Sequence, residues 1–161
     1  MLDPRRRPSG TSTDRPRVGA SGLVALAFAG AGLGVSTYLT VEHYDSSVTL
    51  SCPESATINC AKVTTSSWSH VGPIPVALLG LMFFVAMTVL CLPAVLRIAL
   101  LDRVRVVGAL FGTASVLYLV GVELLAVDAI CLWCTVVHIC TVGLLVTILW
   151  RASSTETEAT L

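Results

Sequence analysis

The chain has 161 residues, of which 55% are hydrophobic and 12% are charged, and its mean hydropathy is +0.84. Ordinary soluble domains carry about 25% charged residues, so this composition excludes a soluble globular protein and indicates an integral membrane protein. The formal net charge is zero, so bulk electrostatics indicate neither a nucleic-acid nor an acidic partner, and no nucleic-acid partner is expected.

The first 17 residues form a polar tail that contains five arginines and three prolines. The tail lacks the apolar residues that a folded core requires, so residues 1–17 are predicted to be disordered. Residues 18–41 contain no Asp, Glu, Lys or Arg, and about 20 apolar residues are enough to span a bilayer. This segment predicts the first membrane helix. The alternative is a cleaved signal peptide, whose apolar part is typically about 7–15 residues long and therefore shorter.

Residues 42–72 form the one long polar segment of the chain and hold Cys52, Cys60 and a single basic residue, Lys62. Pro53 and the frequent Ser and Thr residues predict an exposed, turn-like loop. Loops longer than about 12–15 residues are often functional. We therefore predict that this loop carries part of the functional site.

Three further apolar segments predict membrane helices at residues 74–96, 106–127 and 130–150. A short charged turn separates the first two of these segments, and Asp128–Ala129 forms a tight connection before the last. Together with the first helix they predict an all-α integral membrane protein, a bundle of four transmembrane helices. Its long loop lies between the first and second helices.

The basic residues predict the orientation of this bundle. Nine of the ten Lys and Arg residues lie before the first helix, between the second and third, or after the fourth, and Lys62 is the exception. Basic residues accumulate on the cytoplasmic side of membrane proteins. The membrane domain at 18–150 is therefore expected to lie between two cytoplasmic tails, at 1–17 and 151–161. The long loop and the turn before the fourth helix then face the opposite side, where disulfides persist.

Cys131 and Cys134 open the fourth predicted helix. Their sulfur atoms are expected about one helical turn apart on one face of that helix. At a helix N-terminus, the unpaired N–H groups and the helix dipole favour the thiolate and lower the pKa of a cysteine. A disulfide across so short a loop adds little stability, which favours a redox role over a structural one. A zinc site is the alternative for a C-x-x-C pair, but a position on the oxidising side argues against zinc.

Two interpretations of Cys52 and Cys60 stay open at this point. Either the pair is a stabilising disulfide, as is common in exported loops, or it accepts electrons from a soluble partner and relays them through mixed disulfides. Cys91 and Cys140 lie within apolar segments, and they are predicted to be small buried residues rather than redox centres.

Electrons that leave Cys134 need an acceptor, and a lipid-soluble quinone fits a position in the membrane. Its pocket would need apolar walls and a few polar groups. His138 lies one turn beyond Cys134 on the same face, where it could hydrogen-bond a quinone carbonyl or carry a proton; otherwise its role is a structural hydrogen bond. Glu123 is an ionisable residue within a membrane segment, which makes it a second candidate; the alternative is an acid that reaches to the membrane interface.

The order of these features resembles bacterial vitamin K epoxide reductase homologues over residues 18–150. The segments that carry the resemblance are the loop from Cys52 to Cys60, the stretch from Cys60 to Trp68, the stretch from Ile74 to Gly80, and Cys131-Leu132-Trp133-Cys134. The resemblance implies a four-helix thiol oxidase in the cell membrane, with the redox loop at 42–72.

The resemblance also implies roles for individual residues. Cys52 is expected to meet a thioredoxin-fold partner, Cys60 to exchange with Cys131, and Cys134 to lie next to the quinone ring. The loop hydroxyl group of the family corresponds to Ser66, which is expected near the quinone headgroup or the moving loop.

The sequence departs from the animal enzymes at His138, where they have a tyrosine, and at Val76, where they have a quinone-binding asparagine. The polar contacts to a quinone are therefore not carried over from those enzymes. Some bacterial relatives carry a fused thioredoxin-like domain, whereas this chain ends at Leu161, so a separate extracytoplasmic thioredoxin-fold partner is expected.

These features predict a quinone-dependent thiol–disulfide oxidoreductase that reoxidises its partner, uses menaquinone or ubiquinone as electron acceptor, and supports disulfide formation in exported proteins. One alternative is a non-enzymatic four-helix membrane protein with a structural external disulfide. Another is an unrelated quinone-linked membrane oxidoreductase with convergent chemistry. The bacterial four-helix disulfide oxidases usually carry their C-x-x-C in the first external segment, whereas here it comes last.

Overall fold

The structure of the protein is a computed structural model that describes residues 19–45, 47–48 and 50–159. The predicted disordered tail at residues 1–17 and the first residue of the first predicted helix lie outside these ranges. The described part of the chain is mostly helical, as the composition predicts.

Within these ranges five α-helices follow one another: α1 at Ala20–Tyr44, α2 at Cys60–Thr64, α3 at Val76–Leu90, α4 at Asp102–Val122 and α5 at Leu132–Ala159. A π-helical turn at Glu123–Val127 continues α4. Short 3-10 turns occupy Ser67–Ser69, Val95–Arg97 and Ala99–Leu101. Strand β1 at His70–Val71 pairs antiparallel with strand β2 at Ile74–Pro75, directly before α3.

Three helical stretches among the described residues are long and apolar enough to cross a membrane, namely Ala20–Tyr44, Leu100–Val127 and Leu132–Ser153. Helix α3 is apolar but has only 15 residues. At about 1.5 Å per residue it is about 22 Å long, shorter than the roughly 30 Å hydrocarbon core of a bilayer. The structure thus confirms a helical membrane protein, and a fourth full span at α3 stays a prediction.

The second predicted helix, at 74–96, is longer at both ends than the helix in the structure. Ile74 and Pro75 belong to β2, and α3 ends at Leu90. Pro93 explains the early end, because a proline lacks the backbone N–H of a helical hydrogen bond and its ring clashes with the preceding turn.

The third and fourth predicted helices also differ from the structure at their ends. Helix α4 begins at Asp102 rather than at residue 106, and an acidic residue in the first turn suits the positive end of the helix dipole. Helix α5 begins at Leu132 and continues to Ala159, well past residue 150. The residues expected as a polar tail extend this helix, since residues 151–159 contain neither Gly nor Pro to end it.

Helix α1 packs against both α3 and α5, and α4 packs against α5. Close contacts between glycine and phenylalanine make this packing possible. A Cβ atom added at Gly32 of α1 would lie 2.1 Å from the ring of Phe84, and one added at Gly143 of α5 would lie 2.7 Å from the ring of Phe28. Because each glycine has no side chain, the opposing phenylalanine ring can occupy the space beside its backbone.

A buried arginine holds the connection between α3 and α4. Arg105 donates hydrogen bonds from Nε to the Leu90 carbonyl oxygen at 2.9 Å and from Nη2 to the Val95 carbonyl oxygen at 2.6 Å. It also pairs with the Asp102 carboxylate. The first bond gives a partner to a carbonyl group of the last turn of α3, and the second binds the 3-10 turn at Val95–Arg97 that follows.

Candidate redox site

The C-x-x-C pair lies where the sequence predicts it, at the start of α5. Cys131 immediately precedes the helix and is 0% exposed, while Cys134 lies in its first turn and is half-buried. Both are free thiols in the structure. The backbone N–H of Cys134 donates to the Cys131 sulfur at 3.2 Å, so the sulfur of Cys131 receives one of the unpaired N–H groups of the helix N-terminus.

Cys131 lies outside the membrane-spanning stretches and has the character of a nucleophile. The hydrogen bond from the Cys134 thiol holds the pKa of Cys131 below the ordinary value for cysteine, and backbone N–H groups add to this effect against the opposing effect of burial. A lower pKa increases the thiolate fraction at neutral pH, and the thiolate is the form that attacks a disulfide.

The loop cysteines form a disulfide. Cys52 and Cys60 are bonded to each other with their Cα atoms 6.2 Å apart. Cys60 is the first residue of α2 and is 1% exposed, whereas Cys52 is half-buried. The side chain of Asn59 accepts a hydrogen bond from the Lys62 N–H at 2.8 Å, and this N-cap starts the short helix at Cys60.

Backbone hydrogen bonds join the segment before Cys60 to the segment before Cys131. Ile58 and Ile130 form a parallel β-bridge. The Asn59 N–H donates to the Ile130 carbonyl oxygen at 3.1 Å, and the Ile130 N–H donates to the Thr57 carbonyl oxygen at 2.9 Å. The structure therefore brings the two predicted cysteine pairs to one site.

A left-handed residue shapes the turn that carries Cys131. Asp128 has φ 51° and ψ 49° and follows the π-helical turn at the end of α4. Aspartate is one of the few residues other than glycine that adopt this conformation readily. The Lys62 ammonium group donates to the Asp128 carbonyl oxygen at 3.2 Å, so the loop holds this turn at a second point.

Glu123 is buried beside the C-x-x-C pair. It is 6% exposed, and its carboxylate accepts a hydrogen bond from the backbone N–H of Cys131. This burial favours a role inside the protein over the alternative of an acid that reaches to the membrane interface. Glu123 is also the first residue of the π-helical turn, and such turns occur frequently at functional sites.

A cavity of about 650 Å³ lies between the end of α4 and the first half of α5. Its lining is mostly apolar and includes Glu123, Thr135 and His138 as polar side chains. His138 is 8% exposed. Cavities that bind drug-sized molecules measure about 300–1,000 Å³ and combine apolar walls with a few polar groups. The size and chemistry of this cavity therefore fit a quinone headgroup.

The structure brings together most, but not all, of the site residues predicted from sequence. Glu123 and His138 line the cavity. The four cysteines lie in the loop and at the start of α5 but are not among the lining residues, so the position of Cys134 next to a quinone ring stays a prediction. Ser66 is not among the lining residues, and its hydroxyl group donates to the Val63 carbonyl oxygen at 2.8 Å. Its expected proximity to the quinone stays a prediction.

Two residues of the site were missed by reasoning from sequence. Thr135 lines the cavity and donates from its hydroxyl group to the Cys131 carbonyl oxygen at 3.0 Å. Trp133 donates from its indole N–H to the Ser51 carbonyl oxygen at 3.0 Å. Trp133 lies within the C-x-x-C motif and Thr135 directly after it. This position in the sequence could have suggested that they belong to the site, but it does not indicate which groups they contact.

Neither of the remaining cysteines, Cys91 and Cys140, is among the residues that line the cavity. Cys91 is 0% exposed and Cys140 is 5% exposed, which confirms that both are buried. Within the described ranges, no three His, Cys, Asp or Glu side chains converge as metal ligands.

Comparison with known proteins agrees with this geometry. No curated protein matches the sequence significantly. The sequence profile of the vitamin K epoxide reductase family matches residues 23–149. That match extends over both cysteine pairs and the whole cavity lining, and it confirms the resemblance noted in the sequence. The chain therefore belongs to the vitamin K epoxide reductase family.

Proposed function

We propose that the protein passes electrons from a thioredoxin-fold protein, through the loop disulfide and then the C-x-x-C pair, to a membrane quinone. Membership of the family makes the chain a membrane disulfide oxidoreductase. The observation that carries the more specific proposal is the β-bridge between Ile58 and Ile130. It joins the segment just before Cys60 to the segment just before Cys131, the two cysteines that must exchange.

The first exchange takes place on the loop disulfide. A thiolate of the partner attacks the Sγ atom of Cys52, breaks the Cys52–Cys60 bond and forms a mixed disulfide, and Cys60 leaves as a thiolate that takes up a proton. The second thiol of the partner then attacks the partner's own sulfur atom and releases Cys52 as a thiol. The partner loses two electrons and two protons, and the loop pair gains them. Cys52 suits this role because it is the more exposed cysteine of the loop pair.

The second exchange moves the electrons to an oxidised Cys131–Cys134 pair. The Cys60 thiolate attacks the Sγ atom of Cys131, and Cys134 leaves. Cys52 then attacks the Sγ atom of Cys60, which restores the loop disulfide and releases Cys131. The product of this step has a loop disulfide and two free thiols at the start of α5, the combination of bonds found in the structure.

The third step closes the Cys131–Cys134 disulfide and releases two electrons and two protons. A quinone in the cavity would supply the acceptor, since its reduction to a quinol takes up two electrons and two protons. His138 and Glu123 are the lining side chains able to donate a hydrogen bond to a carbonyl oxygen or to pass on a proton. Glu123 is suited to the proton step by its position next to the C-x-x-C pair, where its carboxylate accepts a hydrogen bond from the Cys131 N–H.

The proposed orientation places this chemistry on the extracytoplasmic side of the cell membrane. The basic residues put both termini in the cytoplasm, with α3 as the fourth, shorter membrane segment. On that side the enzyme would reoxidise a separate thioredoxin-fold protein and so support disulfide formation in exported proteins.

Cys131→Ser and Cys134→Ser are each expected to abolish quinone reduction, because serine cannot form the disulfide whose closure releases the electrons. The measurement is quinone absorbance with purified protein, a reduced thioredoxin-fold protein, and menaquinone or ubiquinone. Cys140→Ser is the matched control, since it changes another buried cysteine of α5 and is expected to retain activity. Full activity in either of the first two variants would refute the relay through this cysteine pair.

A further inference from the structure

We propose that Tyr38 and Trp133 form a clamp on the backbone of Ser51 that holds Cys52 beside Cys60 and so sets how easily the loop disulfide is reduced. We call the three residues Tyr38, Ser51 and Trp133 the Ser51 clamp. The proposal deepens the proposed function and rests on it in one respect, namely that the loop disulfide takes part in exchange.

Both backbone polar groups of Ser51 are bound by aromatic side chains. The Ser51 N–H donates to the Tyr38 hydroxyl oxygen at 3.1 Å. The Trp133 indole N–H donates to the Ser51 carbonyl oxygen at 3.0 Å. The two rings meet edge to face, with centroids 5.1 Å apart and an interplanar angle of 67°. One residue of the loop is thus held from two sides, by α1 through Tyr38 and by α5 through Trp133.

These contacts affect the loop disulfide because of where Ser51 lies in the chain. Ser51 is bonded directly to Cys52 and lies outside every helix and strand, so regular structure does not supply partners for its backbone groups. Tyrosine and tryptophan combine an apolar ring with a polar group, which suits a contact between a membrane helix and a polar loop. The contacts therefore restrain the arm of the loop that carries Cys52.

The other cysteine of the loop pair is restrained independently. The bridge between Ile58 and Ile130 holds the arm that carries Cys60. Both arms are therefore fastened to the same short stretch at the start of α5, one at Ile130 and the other at Trp133. When the loop disulfide is reduced, this arrangement keeps the two sulfur atoms near each other and raises the effective concentration of one thiol at the other.

Coupling between clamp and disulfide must act in both directions. If the disulfide favours the clamped position of Cys52, then the clamp favours the disulfide by the same factor. The relevant equilibrium is the reaction of the Cys52–Cys60 disulfide with two glutathione thiols to give two cysteine thiols and one glutathione disulfide. Loss of one clamp hydrogen bond should shift this equilibrium toward the dithiol by about 3–10-fold, the factor expected for an ordinary hydrogen bond.

The test uses two variants that both keep an aromatic ring. Tyr38→Phe removes the hydroxyl acceptor, and Trp133→Phe removes the indole N–H donor. The full-length protein is equilibrated in glutathione buffers without quinone or partner. Thiols are then blocked, and the oxidised fraction of each cysteine is measured by mass spectrometry. Each variant is expected to show a loop disulfide that is about 3–10-fold easier to reduce, and Tyr38→Phe should leave the Cys131–Cys134 equilibrium unchanged.

Three controls separate the clamp from a general loss of structure. Trp150→Phe and Tyr118→Phe make the same chemical changes elsewhere in the helices and should leave the loop equilibrium at its wild-type value. Ser51→Ala keeps both backbone groups and should also keep that value. Unchanged loop equilibria in both Tyr38→Phe and Trp133→Phe, or an equal shift in Ser51→Ala, would overturn the clamp. Turnover with quinone is not measured, so failure of the proposed relay would leave this result standing.

Discussion

At the scale of single residues, the site depends on what surrounds each sulfur atom. Cys131 and Cys134 belong to one short motif, yet Cys131 is fully buried and accepts hydrogen bonds whereas Cys134 is half-buried and donates to it. This asymmetry gives the two thiols different acidities. It supports the assignment of Cys131 as the cysteine that exchanges with the loop.

The acidity of Cys131 can be measured by its alkylation. Because the Cys134 thiol holds the pKa of Cys131 below the ordinary value, the thiolate forms at lower pH. In fully reduced protein, the rate of Cys131 alkylation should therefore reach half its maximum below about pH 8.5, the ordinary value for cysteine. Cys134→Ala removes the thiol donor and should move this midpoint to higher pH.

The control for this measurement is Cys140→Ala, which should leave the midpoint for Cys131 unchanged because Cys140 lies farther along α5. Mass spectrometry of the alkylated peptides follows Cys131 separately from the other cysteines. An identical midpoint in wild type and in Cys134→Ala would contradict the role assigned to the Cys134 thiol.

At the scale of elements, the apolar segments of the sequence predict the helices but not their ends. Pro93 predicts an end or a kink in the second helix, and α3 ends at Leu90, three residues before it. Asp102 could have marked the start of α4, since an acidic residue is a local signal for a helix N-terminus. The short helix at Cys60 and the hairpin of β1 and β2 are too brief to show a period in the sequence. The pairs of glycine and phenylalanine that hold the helices together join different helices, so no pattern along one helix reveals them.

The contact between Gly32 and Phe84 gives a prediction for stability. Gly32→Ala adds a Cβ atom where the ring of Phe84 lies and should lower the free energy of unfolding by about 1–3 kcal/mol, the usual cost of overpacking. Gly34→Ala is the control on the same helix, because a Cβ atom there has open space. It should leave stability unchanged or raise it by up to about 1 kcal/mol.

Unfolding in detergent as a function of denaturant or temperature measures both variants. A Gly32→Ala/Phe84→Leu double variant should recover part of the lost stability, because leucine is smaller than phenylalanine and leaves room for the new methyl group. Equal stability of Gly32→Ala and Gly34→Ala would show that α1 and α3 do not pack as described.

At the scale of the whole molecule, the helices hold the loop that carries Cys52 and Cys60 against the start of α5. The bridge at Ile58 and Ile130 and the contact of Lys62 with Asp128 hold the redox loop over the start of α5. The cavity lined by Glu123 and His138 lies beside the same site. The arrangement thus places the loop disulfide and the cavity on either side of the start of α5.

The path of electrons through the molecule can be tested by trapping. In Cys131→Ala the loop pair cannot pass its electrons to α5. A partner whose second cysteine is replaced by alanine cannot release Cys52, so this partner should accumulate as a mixed disulfide with Cys52. The adduct is expected on non-reducing gels after incubation with a reduced thioredoxin-fold protein. Adding Cys52→Ala should remove it, whereas adding Cys140→Ala should not. Absence of any adduct across a range of redox buffers would show that the role assigned to Cys52 is wrong.

The amino-acid sequence by itself determined the class of the protein, and it predicted which cysteines are reactive. Long uncharged segments specify membrane helices because a bilayer excludes charge, and a C-x-x-C at a helix start is a local pattern. Only the tertiary structure decided that Ile58 meets Ile130, that Trp133 binds Ser51, and that Glu123 shares a cavity with His138. These contacts join residues far apart along the chain, and they depend on how closely whole helices can approach, which the shapes of opposing side chains determine.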